Sequence, residues 1–186
     1  MPTEGVVVYW GFTDEGKFFQ TQSLDASVPA HRGVKDPAKV LPLDNTATPT
    51  YVNGDGTQAT QGPTIQSLYC ERYISAIRLS AGRLSADADQ RCTGSFLQHW
   101  VNYRFERDSW RGWLGYTDWA NSSATRNYRW VWTFDVDCGE PEDTGIYNYR
   151  LNTRGYAQHT NGTVVAGSPV WGESGRYGCG GGNGSA

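Results

Sequence analysis

The sequence has few charged residues, and neither sign of charge dominates. Charged side chains make up 19% of its 186 residues, against about 25% in an average chain. The formal net charge is −3 and the pI is near 5.6. Because a nucleic-acid-binding protein needs a basic face, this balance argues against a nucleic-acid partner. No apolar run approaches the ~20 residues of a membrane span, so no membrane partner is expected either.

Familiar catalytic and metal-binding motifs are also missing. The three histidines, His31, His99 and His159, form no HxH, HExxH or Cys–His cluster, which argues against a zinc site. No Gly-x-Ser-x-Gly segment supports a nucleophilic serine. Segments 53–57 and 135–137 resemble fragments of calcium loops but lack a full ligand set, which leaves a structural calcium ion open. We therefore expect no cofactor, no catalytic residue and no enzyme activity.

Cysteine is present in a small even number, without a CxxC pair. This pattern favours two disulfides, and four cysteines allow three connectivities. Sequential pairing of Cys70 with Cys92 and of Cys138 with Cys179 is favoured because it closes modest loops. Each bridge would add about 2–4 kcal/mol of stability. Because disulfides belong to oxidising compartments, the sequence predicts a secreted, extracellular protein, with Met1 replacing a removed signal peptide.

The chain divides into four parts of different composition. The first is β-rich with a central turn, the second holds five prolines, the third is rich in aromatic residues, and the fourth is rich in glycine. Proline lacks the donor that a sheet interior needs, so the second part is predicted to be an extended linker or surface loop. The predicted boundaries are an N-terminal hairpin or arm over 1–24, the linker over 25–66, a disulfide-containing core over 67–179 and a disordered tail over 180–186.

The core shows strand periodicity and no sustained helical period. Around residues 97–107, Val101, Tyr103 and Phe105 alternate with polar side chains, which indicates a half-buried strand. Several such strands separated by turn signals are typical of an antiparallel sandwich. The segment Asp143–Tyr149 also matches the tyrosine corner of immunoglobulin-like domains. The predicted fold is therefore an all-β, antiparallel, immunoglobulin-like sandwich with an N-terminal β-hairpin or extended arm.

Six of the eight tryptophans lie within one stretch of the core. Tryptophan rings stack on sugar rings and anchor protein interfaces, but they also fill cores. Side-chain parity predicts a core position for Trp130 and Trp132, beside Phe134, and makes Trp100 the more exposed ring. The members of this group are Trp100, Trp110, Trp113, Trp119, Trp130 and Trp132.

The leading functional interpretation is non-catalytic binding of another secreted protein. An apolar β segment tethered by a proline-rich linker can dock on a partner by strand addition. The alternative, equally weighted, is that this segment adds an edge strand to its own sandwich. The predicted binding residues are Val6, Val8, Trp10, Phe18 and Phe19 in the arm, and Trp110, Arg111 and Trp113 on a core loop.

Two other classes of function compete with this interpretation. A carbohydrate-binding module would use Trp110, Trp113 and Trp119 as a stacking platform. A small secreted glycoside hydrolase would need a carboxylate pair, for which Glu106 or Asp108 with Asp118 are the candidates. For Glu106 the simpler explanation is an ion pair on a strand face, because arginines stand close to it in the sequence.

The aromatic stretch also resembles a known group of proteins. The segment 103–116 (YRFERDSWRGWLGY), the bracketing cysteines and the segment 147–150 (YNYR) look like small secreted actinobacterial β-sandwich proteins, some of which resemble adaptor subunits of umbrella toxin particles. The resemblance covers residues 67–179. It implies binding rather than catalysis, a lectin-like or scaffold subunit as the partner, and a role for residues 1–24 in that contact.

Overall fold

The protein is a β-sandwich of two antiparallel sheets, which confirms the predicted all-β sandwich. The computed structural model describes residues 5–23, 49–52, 58–59, 65–138 and 145–179. These residues form strands and turns, and no membrane-spanning helix occurs among them. The immunoglobulin-like subtype stays a prediction.

The first sheet, sheet A, has six strands. Its order is β11-β7-β5-β1-β2, and β6 pairs with β7 beside this path. Its strands are β1 (Gly5–Phe12), β2 (Phe18–Ser23), β5 (Leu68–Ser75), β6 (Arg78–Ser80), β7 (Arg83–Gly94) and β11 (Arg129–Asp137).

The second sheet, sheet B, has nine strands and is built on the long antiparallel pair of β8 and β12. The edge of β8 away from β12 pairs with β9 and β10, while β12 pairs on its other edge with β13, β14 and β15. The strands are β3 (Thr50–Val52), β4 (Gln58–Ala59), β8 (Phe96–Ser109), β9 (Gly112–Gly115), β10 (Ala120–Asn121), β12 (Ile146–His159), β13 (Val164–Ala166), β14 (Val170–Trp171) and β15 (Gly175–Gly178).

The N-terminal hairpin is part of sheet A and not a free arm. Strand β1 lies between β5 and β2, with Trp10 opposite Cys70 on one side and Gln20 on the other. Val6, Val8 and Trp10 are at most 3% exposed. These three side chains alternate along β1 and point into the core. They are therefore not accessible for docking on a partner.

The other two predicted arm residues, Phe18 and Phe19, also pack against the protein itself. Phe19 is fully buried in a second cluster on the opposite face of sheet A, and Phe18 packs against the main core. The sandwich therefore includes residues 5–23 in addition to the predicted core.

Of the predicted linker, β3 and β4 join the β13 edge of sheet B. Residues 25–48, 53–57 and 60–64 and the tail 180–186 lie outside the described residues.

Both predicted disulfides are present. Cys70 and Cys92 lie directly opposite each other on β5 and β7, inside the sandwich. Cys138 follows β11 of sheet A and is bonded to Cys179, which follows β15 of sheet B. The second bridge therefore connects the two sheets, and both agree with an oxidising compartment.

A chain of buried hydrogen bonds joins the two sheets around His99, which is fully buried. The indole nitrogen of Trp10 donates to Gln90 Oε1 (3.4 Å), and Gln90 Nε2 lies 3.1 Å from His99 Nδ1. His99 Nε2 lies 2.9 Å from the carbonyl oxygen of Asn127. Because a carbonyl only accepts, Nε2 carries the proton and Nδ1 accepts from Gln90, which is the neutral form of the ring.

This arrangement predicts a loss of stability in mild acid. Burial lowers the pKa of His99, while hydrogen bonds to the backbone of Asn127 and Tyr128 partly oppose that effect. The unfolded chain binds the proton near pH 6.5, but the folded chain binds it only at lower pH. We therefore expect the free energy of unfolding, measured in urea, to fall by about 1 kcal/mol between pH 7.5 and pH 5.5.

Two histidine variants test whether His99 causes this loss. His99→Gln should flatten the dependence on pH, and His159→Gln, at a partly exposed position, should leave it unchanged. A wild-type slope that survives in His99→Gln would contradict the assignment.

Candidate functional site

The outer face of sheet B carries a regular set of polar and aromatic cross-strand pairs. Residues of β8 and β12 that point away from the core stand opposite each other. The amide side chains of one pair are hydrogen-bonded, and the rings of the next stack with centroids 5.5 Å apart. From one end of the strands to the other the pairs are Gln98–Gln158, Trp100–Tyr156, Asn102–Arg154, Arg104–Asn152 and Glu106–Arg150.

Glu106, in the last of these pairs, is hydrogen-bonded to several side chains of this face although it is only 1% exposed. Its carboxylate accepts hydrogen bonds from Arg150 Nε (2.7 Å), Arg104 Nε (2.7 Å) and Asn152 Nδ2 (3.2 Å). Burial raises its pKa, but these hydrogen bonds and the charge of Arg150 outweigh burial and hold the pKa below its ordinary value. A single buried anion thus fixes two arginines on the sheet.

Both arginines pack against tryptophan rings. The Arg150 guanidinium carbon lies 4.1 Å from the centroids of both Trp113 and Trp171, and that of Arg104 lies 4.9 Å from Trp119. A cation over an aromatic face is attracted by the ring quadrupole. We call these residues and Glu106 the arginine–tryptophan cluster. Trp113 is partly buried in it, while Trp119 and Trp171 remain exposed.

The hairpin that joins β8 and β9 projects Trp110 into solvent. The ring is 87% exposed, and the Arg111 guanidinium carbon lies 4.6 Å from its centroid. Ser109 Oγ accepts from the Arg111 backbone nitrogen and donates to the Gly112 carbonyl oxygen. Gly112 has a φ of 98°, which glycine adopts without strain. The two-residue loop therefore holds its tryptophan in a defined position.

The structure distributes the predicted aromatic residues over different environments. Trp132 and Phe134 are buried, as parity predicts, but Trp130 is 47% exposed because it lies near the start of β11. Trp100 is partly covered by Tyr156. Trp110, Trp113 and Trp119 do not share one environment, since the first is at a hairpin tip and the others pack on different arginines.

Trp171 is a site residue that the sequence analysis missed. It lies on the short strand β14, opposite Asn152 of β12. The segment 167–174 around it contains two glycines, two serines and a proline, so no periodic pattern places its ring. Pairing of β14 with β12 brings it to Arg150.

Two of the three carboxylates proposed for a hydrolase, Glu106 and Asp108, are engaged in hydrogen bonds with neighbouring side chains or backbone. A general acid needs a raised pKa, whereas Glu106 is kept ionised by two arginines. Asp108 accepts hydrogen bonds from the backbone and side-chain nitrogens of Asn148, 2.8 Å each. Asp118 is exposed. Among the described residues no group of three or more His, Cys, Asp or Glu side chains could hold a metal ion.

Fold and surface together define a disulfide-bonded all-β sandwich with an aromatic and arginine-rich sheet face. No protein-family model, no curated protein and no solved structure matches the chain.

Proposed function

We propose that the protein is a secreted, non-catalytic binding protein that holds another extracellular protein through the tip of the β8–β9 hairpin. The observation that carries the proposal is the 87% exposure of Trp110. Tryptophan and arginine are the side chains that most often dominate the energy of protein interfaces. An isolated ring this exposed has no role in packing the core.

The conformation of the tip supports the same function. Arg111 covers part of the Trp110 ring, and Ser109 closes the turn with two hydrogen bonds. Because the loop is already ordered, little conformational entropy is lost when a partner binds. The resemblance to umbrella-toxin adaptors points to an adaptor role, with a lectin-like or scaffold subunit as the partner. The two disulfides agree with an extracellular location.

Removal of the exposed ring tests this proposal. We expect Trp110→Ala to weaken the complex with the partner about 30-fold, which corresponds to about 2 kcal/mol for an interface anchor. The partner would be captured from the native culture supernatant with the wild-type protein, and the dissociation constant would then be measured by titration calorimetry with purified components.

An exposed apolar residue at the far end of β8 supplies the matched control. Leu97 is 46% exposed and lies 13 residues from Trp110, which is about 40 Å along a strand. Leu97→Ala should bind the partner as the wild type does. Equal affinities for the wild type and Trp110→Ala would refute the assignment of the hairpin tip.

A further inference from the structure

A groove of about 310 Å³ is lined in part by the arginine–tryptophan cluster, and neither Trp110 nor Arg111 is among its lining residues. Its volume is at the lower end of the range for small-molecule sites, about 300–1,000 Å³. Its lining combines two indole rings with charged and hydroxyl side chains. The main lining residues are Val6, Trp113, Arg150, Trp171, Glu173 and Ser174.

Trp171 offers a free aromatic surface to this groove. The ring is 51% exposed, although the Arg150 guanidinium lies over it. Because Trp171 lines the groove and about half of the residue is exposed, part of the indole is open to a ligand. A flat, rigid and amphipathic surface of this kind is suited to stacking against another flat or weakly polar ring.

The charges around the groove favour a neutral ligand. A second cation beside Trp171 would be repelled by the positive charge of Arg150, which lines the same groove. An anion would meet the exposed carboxylate of Glu173, and Arg150 is already paired with Glu106. A neutral ligand avoids both penalties.

The polar side chains of the groove are those that bind hydroxyl groups. The Glu173 carboxylate can accept from two neighbouring hydroxyls, and the Ser174 hydroxyl can donate and accept. Both residues are exposed and line the groove together with Trp171. A sugar ring presents an apolar face for the indole and a rim of hydroxyls for these groups. We infer that this groove binds a neutral saccharide, with one ring stacked on Trp171 and hydroxyls held by Glu173 and Ser174.

This inference rests on other residues than the proposed protein contact, so the two can fail separately. The probes are glucose, galactose, mannose and N-acetylglucosamine, each titrated to about 50 mM to detect weak binding. Glucuronate and glucosamine serve as charged controls. Binding is followed through the indole N–H resonances of the eight tryptophans in ¹⁵N-labelled protein. At least one neutral sugar should shift the Trp171 and Trp113 resonances in a saturable manner.

Tryptophan variants show which ring the sugar contacts. Trp171→Ala should weaken sugar binding at least about tenfold, while Trp171→Phe, which keeps an aromatic face, should stay within about threefold of the wild type. Trp110→Ala should bind sugar normally even where it loses the protein partner. An unfolding midpoint for each variant shows that the fold is retained.

Three results would overturn the saccharide site. One is the absence of saturable shifts with every neutral sugar, and another is tighter binding of the charged sugars. The third is a Trp171→Ala variant that no longer binds the protein partner but binds the sugars as the wild type does. That result would make the groove part of a protein interface.

Discussion

Replacing Glu106 by glutamine is expected to destabilise the protein by about 3–5 kcal/mol, the cost of removing one partner from a buried ion pair. Arg104 and Arg150 would keep their positive charges but lose the carboxylate that pairs with both of them. We expect a lower urea midpoint, together with a changed near-ultraviolet circular dichroism signal, since Arg150 would no longer be fixed against Trp113 and Trp171.

The matched control is Asp135→Asn, which makes the same chemical change at a surface ion pair. Asp135 accepts a hydrogen bond from Arg83 at 2.6 Å, and both side chains are about half exposed, at 52% and 45%. Exposed ion pairs contribute little to stability, so the midpoint should stay close to that of the wild type. Equal losses in the two variants would show that Glu106 is no more important than a surface carboxylate.

Gly155→Ala is expected to cost about 3 kcal/mol, because the added methyl group has no space. A Cβ atom there would lie 2.4 Å from Arg72 Nη1, 2.6 Å from Trp10 Nε1 and 2.7 Å from Gln90 Oε1. All three neighbours are buried. Moving Trp10 or Gln90 would also disturb the hydrogen bonds that lead to His99.

Calorimetry would show this cost as a midpoint lowered by about 6–12 °C for a chain of this size. Gly178→Ala is the control, since the nearest atom to its added Cβ, from Ile146, lies at an ordinary contact distance of 3.5 Å. Its melting temperature should be nearly that of the wild type. A melting temperature of Gly155→Ala within a degree or two of it would contradict the tight packing around this glycine.

Arg72 shows why this part of the core tolerates no added volume. It is buried between the sheets, where its Nε donates to Thr153 Oγ1 at 2.9 Å and its Nη2 has no hydrogen-bond partner in the described part of the chain. Burial lowers its pKa to about 9, and the charge of Arg154 adds to the effect. A buried cation with so few partners is costly, and a methyl group on Gly155 would press on it directly.

Strand alternation and cysteine spacing predicted much of the fold. Val101 and Phe105 on β8 are buried as their parity requires, and the sequential disulfides follow from the preference for short loops. The position of β1 could not be predicted in this way. Alternating Val6, Val8 and Trp10 are equally consistent with a docking strand and a core strand, and only the pairing with β5 decides between them.

The candidate site was less predictable than the fold. Trp110 and Arg111 were identified because glycine and a short loop between strands mark a turn. The arginine–tryptophan cluster depends on the register of β12 against β8 and β14, which brings Arg150 to Glu106 and to Trp171. The contacting residues are 44 and 21 positions apart in the sequence, so no local sequence pattern predicts either contact.

The bridge between Cys138 and Cys179 also determines how the molecule responds to mechanical force. A pull on the C-terminus reaches Cys179 and passes through the covalent bond to Cys138, at the end of β11. The intervening chain, which includes β12 to β15, lies inside a closed covalent loop and bears no tension while the bridge is intact. A load applied through the C-terminal tail therefore passes directly from Cys179 to the end of β11, and the strand that carries Arg150 is not itself stretched.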